Sequence, residues 1–182
     1  MSTLTETALN LYARLLPVAL LAALVSLGVT ASEVSAQERE PDSFAIGLGS
    51  GTLANGLSLE YQFEEAHALQ LNFGSWGGGG ADERFDDVAG GVAGSIDYLH
   101  LMPSLYEGRV MQIAWNLGAG VGLGVDDEPN ELGVAGALVA GLEFNFKPIP
   151  LGLTLEYRPT VPIIPDVGLD LIDFTGHLRV RF

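Results

Sequence analysis

The chain has 182 residues, 24 of them glycine, no cysteine, and a formal net charge of −15 from 8 Lys and Arg against 23 Asp and Glu. That balance excludes a nucleic-acid surface, which needs clustered Lys and Arg to neutralise phosphates. The lack of cysteine excludes a disulfide scaffold and a thiolate metal centre.

The first element reads as an address segment. Leu15 to Val29 (LLPVALLAALVSLGV) is an apolar run behind Arg14, followed by the small-x-small patterns VTA and VSA that end at Ala31 and Ala36. With Ser26 inside it, the run falls short of the about 20 apolar residues of a membrane-crossing helix. Residues 1–36 are therefore expected to be a cleaved signal peptide and residues 37–42 a short periplasmic N-terminal segment, leaving residues 43–182 as the folded domain.

From residue 43 onward the period is two, not 3.6. The predicted strands are Phe44–Gly49, Leu57–Phe63, His67–Phe73, Ala93–Met102, Val110–Gly124, Leu132–Phe146, Leu151–Tyr157 and Phe174–Phe182. In the second, Leu57, Leu59, Tyr61 and Phe63 alternate with Ser58, Glu60 and Gln62. In the third, Leu69, Leu71 and Phe73 alternate with Ala68, Gln70 and Asn72. The fourth has no single phase, because SIDYLHLM places apolar residues on both faces.

The connections alternate too. EEA, PSLYEG and KPIP are short; SWGGGGADERFDDVAGG, VDDEPNE and PTVPIIPDVGLDLI are longer and more polar. An even number of strands with short turns at one end and long loops at the other is the pattern of an outer-membrane barrel with both termini in the periplasm. Alternation alone does not say which face is inside, since a secreted lipocalin-like barrel would turn its apolar face inward. The companion face of strands five and six decides it: Ala114, Gly118, Gly120, Gly133, Ala135, Ala137 and Gly141 suit a narrow, filled interior better than a water-facing surface. Aromatics add two expected girdles, with Phe63, Phe144, Phe146 and Phe182 at short-turn ends and Phe73, Trp76, Tyr157 and Phe174 at long-loop ends.

The last nine residues, FTGHLRVRF, resemble the C-terminal assembly signal of bacterial outer-membrane proteins on the strength of Phe174, Leu178, Val180 and Phe182. As a pattern, residues 43–182 resemble the small eight-stranded OmpA/OmpX-type barrels of the outer-membrane β-barrel superfamily, a porin-like group. GLEFNFKPIPLGLTLEYRP (Gly141 to Pro159) is similar to a hairpin of its uncharacterised members. The resemblance implies a Gram-negative cell-envelope location and an all-β, eight-stranded antiparallel up-and-down transmembrane barrel. It also implies recognition of the terminal aromatic by the barrel-insertion machinery, and assigns no reaction.

Candidate site residues fall into three groups. Alternation sends Glu60, Glu143, Glu156, Arg158, His177, Arg179 and Arg181 into the lumen, where confined charges must pair. This predicts a plugged, non-conducting interior. The long loops are acidic, most densely at Asp126, Asp127, Glu128 and Glu131. VDDEPNE lacks the spacing of a calcium loop, but beside lipopolysaccharide phosphates its charge predicts weak association with divalent cations. The third group is histidine. His67 and His100 lie near short turns, and His177 has no serine two residues away, so no catalytic triad is expected and no catalytic, cofactor or resident metal residue is assigned. Gly77 to Gly80 lack the GK[ST] of a phosphate cradle. The expected role is structural or surface-interacting, as a monomer in contact with membrane lipid and lipopolysaccharide. A lipid A-modifying hydrolase is the alternative activity.

Overall fold

The computed structural model describes residues 41–51, 54–75, 91–125, 132–147, 149–165 and 167–182. These residues form nine strand segments: β1 Ser43–Ser50, β2 Asn55–Glu64, β3 His67–Ser75, β4 Val92–Glu107, β5 Met111–Val125, β6 Leu132–Phe146, β7 Leu151–Tyr157, β8 Thr160–Ile164 and β9 Phe174–Arg181. Each pairs antiparallel with its chain neighbour from β1 to β6. The lower part of β6 pairs with β7 and its upper part with β8, β7 pairs with β9, and β9 returns to β1. Because β7 and β8 together make one wall position, the nine segments close as an eight-stranded up-and-down barrel.

Why the ring closes is legible in the inward residues of β1. Phe44, Ile46 and Leu48 point outward and Ala45, Gly47 and Gly49 inward, so the inner face of β1 is nearly bare. Ala45 lies between Glu60 and Arg181, Gly47 between Ser58 and Arg179, and Gly49 between Gly56 and His177. Long side chains from β2 and β9 can therefore meet across β1. At the seam the backbones of Phe44 and Phe182 exchange both hydrogen bonds, at 3.1 and 2.7 Å.

Three expectations are corrected. The tail of the seventh strand, expected to be loop, contains β8, whose Val134 to Ala137 pairing carries the wall above β7. Pro159 and Pro162 lack N–H groups and break the ladder locally, which hides the strand in the sequence. Tyr157 consequently lies opposite Ala140, in the middle of β6, with its ring 5.5 Å from Phe174, so this aromatic pair is not at the rim on that flank. PSLYEG, expected to be a short turn, belongs largely to β4, which continues to Glu107; its register shifts between Met102 and Tyr106, and the chain turns at Gly108–Val110.

The phase of the fourth strand is also settled. Ala93, Ser95, Asp97, Leu99 and Leu101 are buried, while Val92, Ile96 and Tyr98 are exposed. Both Leu101 and Met102 are buried where the alternation lapses at the register shift. The apolar part of the interior is small: Ala68, Leu99, Leu101 and Val139 form one cluster. Most large apolar side chains, including Leu48, Leu71, Phe73, Leu123, Leu155 and Leu178, are on the outside.

Candidate functional site: the charged lumen

The interior opposite those apolar residues is polar and closed to solvent. Ser58, Glu60, Gln62, Gln70, Asn72, Asp97, Glu143, Glu156, Arg158, His177 and Arg179 are all buried. Burying ions without partners is costly, so their contacts determine whether the interior is stable.

Nearest the short turns, Glu60 of β2 takes both arginines of β9. Arg179 Nη1 donates to its Oε2 at 2.7 Å and Arg181 Nη2 to its Oε1 at 2.8 Å. Both contacts cross β1 above Ala45 and Gly47. Arg179 also donates through Nε and Nη2 to Ser58 Oγ at 2.9 and 2.8 Å, and through Nη2 to Gln70 Oε1. All three nitrogens of the guanidinium are therefore held.

A second cluster lies toward the long loops. Arg158, in the break between β7 and β8, forms a bidentate pair with Asp97 of β4: Nη2 to Oδ1 at 2.8 Å and Nη1 to Oδ2 at 3.0 Å. Fork-to-fork geometry is the stronger form of this interaction. Asp97 Oδ2 also accepts from Ser95, Asn72 and Gln70 at 3.3 to 3.4 Å. Asp97 fits because its neighbour on β5 is Gly120: a Cβ there would lie 2.0 Å from Asp97 Oδ1 and 2.4 Å from the Ile96 carbonyl oxygen.

The two clusters are joined by Glu156 and His177. Glu156 Oε2 accepts from Gln70 at 3.2 Å and from Arg158 at 3.4 Å, and lies 3.1 Å from His177 Nε2. The His177–Glu156 contact is a close approach of potentially opposite charges without aligned hydrogen-bond geometry. His177 Nδ1 is 2.9 Å from Ser58 Oγ, and the ring occupies the space beside Gly49, where a Cβ would come within 2.6 Å of Nδ1. A continuous path thus runs from Arg181 through Glu60, Arg179, Ser58, His177, Glu156 and Arg158 to Asp97. Of the predicted lumen charges, Glu143 is placed to one side, accepting from Asn116 Nδ2 at 2.7 Å.

His177, which has no serine two residues away along its strand, meets a serine and an acid from other strands. Ser58 and Glu156 flank its ring, brought there across strands rather than along the chain. The serine oxygen is nevertheless fully engaged. It donates to Asn72 Oδ1 at 2.9 Å and receives two N–H groups from Arg179, which occupies its single hydrogen and both lone pairs. The imidazole completes a four-partner shell around a hydroxyl with no exposed surface.

Asp97 was not among the predicted lumen charges. The signal for it was the outward parity of Ile96 and Tyr98 together with glycine at the paired position Gly120. Among the predicted assembly residues, Phe174, Leu178, Val180 and Phe182 all point outward, and Phe182 is 74% exposed even though its backbone is paired. His67 and His100 are direct cross-strand partners on the outer face, with ring centroids 5.0 Å apart. Asp126, Asp127, Glu128 and Glu131, the Gly77 to Gly80 run, Trp76 and the expected signal peptide lie outside the described residues.

The geometry defines a class of fold, a closed eight-stranded antiparallel β-barrel with a polar core and an apolar exterior, compatible with a small outer-membrane-type barrel. No protein-family model, curated protein or solved structure matches the chain.

Proposed function

We propose that the chain is a monomeric integral outer-membrane β-barrel protein, with both termini in the periplasm and a structural or surface-interaction role, whose lumen is plugged by its own side chains and does not conduct. One observation carries this reading: the polarity of the barrel is inverted relative to a water-soluble one. Large apolar side chains cover the exterior, whereas three arginines and their carboxylate partners fill the interior. A soluble monomer rarely exposes an apolar surface of that extent, and lipid is the solvent that favours it. The inverted polarity argues equally against a secreted lipocalin-like binder, which would hold its ligand in an apolar interior.

Membrane fractionation with detergent extraction tests the proposal. Recovery in the outer-membrane fraction, with a folded form that shifts mobility on heating, supports it; a fully soluble chain without detergent refutes it. The alternative reading, a lipid A-modifying hydrolase, has the Ser58–His177–Glu156 contact as its only candidate centre, and the engagement and burial of Ser58 count against it. That reading requires measurable deacylation by the purified barrel and its loss in Ser58→Ala.

A further inference from the structure

Outside the lumen, the β2–β3 turn carries a chemically varied surface. Pro41, Phe63, Glu64, Glu65, Ala66 and His67 line an open concavity of ≈ 440 Å³, within the ~300–1,000 Å³ range of small-molecule sites. Its lining combines apolar Pro41, Phe63 and Ala66 with two carboxylates, Glu64 and Glu65. Its wall is the His67 ring, stacked 6.1 Å from Phe63 on one side and 5.7 Å from Tyr98 on the other. The Tyr98 hydroxyl bonds to His67 Nδ1; with the hydroxyl as the donor, the ring's hydrogen sits on Nε2. That nitrogen is 3.8 Å from Glu64 Oε2, too far for a hydrogen bond. Directly above the concavity, Leu69 and Leu71 on β3 and Tyr98 and Ile96 on β4 form an exposed apolar wall.

We propose that this concavity seats the headgroup of one zwitterionic aminophospholipid, its ammonium between Glu64 and Glu65 over the Phe63 face, its phosphate on His67 Nε2–H, and its acyl chains along the wall above. The chemistry selects this lipid class. Two carboxylates repel an anionic headgroup, a primary ammonium can donate hydrogen bonds to both, and an aromatic face adds cation–π attraction. A donor on the imidazole serves the phosphate that every phospholipid carries. The height of the site matches a headgroup because it lies where the apolar wall ends and the polar turn begins.

The inference rests on the membrane reading, and its test separates the two. The folded chain is placed in nanodiscs of phosphatidylethanolamine, phosphatidylglycerol or phosphatidylcholine with matched acyl chains, transferred to detergent, and retained lipid is counted by native mass spectrometry. Retention of phosphatidylethanolamine should exceed that of phosphatidylglycerol by roughly three- to tenfold, the scale of a pair of exposed charge contacts, and that of phosphatidylcholine, which keeps the charge but lacks N–H donors, by a smaller margin. The Glu64→Gln/Glu65→Gln variant should abolish the preference. His67→Phe should lower retention of phosphatidylethanolamine and phosphatidylcholine alike. Heat-modifiable mobility checks that each variant is folded. Equal retention of all three lipids, or a preference that survives the double substitution, overturns the headgroup seat and leaves the membrane reading standing. A folded chain that does not enter any nanodisc overturns both.

Discussion

Arg158 and Asp97 face each other across the barrel through two parallel hydrogen bonds of 2.8 and 3.0 Å, one residue in the break of the seventh wall position and the other on β4. Neither is near the other in sequence or in the sheet, so the pair spans the lumen and ties opposite walls together. Its shielding from water makes it expensive to break from one side only.

Truncating Arg158 to Ala leaves Asp97 buried without its bidentate partner, and truncating Arg179 leaves Glu60 with Arg181 alone and strips Ser58 and Gln70 of the guanidinium they share. Each substitution should lower the unfolding free energy by about 3 to 5 kcal/mol, read as an earlier midpoint in urea. Asp127→Ala, in the segment that the sequence predicts to be an outer loop, should leave the midpoint within about 0.5 kcal/mol of the parent. Equal midpoints for all three variants would show that the lumen pairs do not hold the barrel together.

Gly120→Ala should destabilise the fold even though alanine is ordinarily the better-behaved residue. Its Cβ would meet the Ile96 carbonyl oxygen at 2.4 Å as well as the Asp97 carboxylate at 2.0 Å, and the backbone atom cannot rotate away. Overpacking of this kind costs about 1 to 3 kcal/mol. Gly136→Ala supplies the control, because a Cβ there meets nothing within 4 Å.

Planar-bilayer recordings test the plug. Eight strands leave an interior just wide enough for side chains, and those present are cross-linked by hydrogen bonds, so the parent protein should show no steady single-channel current. Stable conductance in the parent would refute the plug and restore a channel role. Current appearing only in Arg158→Ala or Arg179→Ala would identify those contacts as the obstruction.

Deleting Phe182 should reduce the yield of folded, inserted protein. The exposed ring is the expected docking aromatic, and its backbone supplies the last two hydrogen bonds of the seam. Unchanged heat-modifiable mobility and unchanged surface protease resistance in the deletion strain would count against an assembly role.

Calcium titration of the detergent-folded protein should move resonances of Asp126, Asp127, Glu128 and Glu131, the segment that the sequence predicts to be an acidic outer loop, with half-saturation on the order of 10⁻⁴ to 10⁻³ M. Magnesium should act similarly and sodium should not. Loop resonances that stay fixed would remove divalent cations as surface partners.

The barrel was legible wherever alternation ran unbroken. Glu60, Glu156 and Arg179 could be assigned to the interior because each lies between outward Leu, Val or Tyr residues two apart, and His177 because it shares the parity of Arg179 on the same strand. Where proline interrupted the pattern, as at Pro159 and Pro162, strand and loop were indistinguishable, since the ladder of β8 depends on a partner in β6 rather than on its own residues. Asp97 was obscured for a related reason: His100, Leu101 and Met102 blur the parity of β4, and only the pairing with Gly120 shows which face the carboxylate occupies. The contact between His177 and Ser58 could not be read from spacing at all. It joins residues 119 apart and depends on the empty inner face of β1 between them.

That bare strip of Ala45, Gly47 and Gly49 also gives the molecule a means of proofreading its own completion. Glu60 and Ser58 are made early in the chain, and their partners His177, Arg179 and Arg181 arrive last, so these contacts form only when the final strand has docked in register beside the first. A slip by one residue turns the arginines outward and strands the early carboxylate inside. The seam is thus fastened twice, once by backbone hydrogen bonds that any strand could supply and once by a side-chain latch that fits a single alignment.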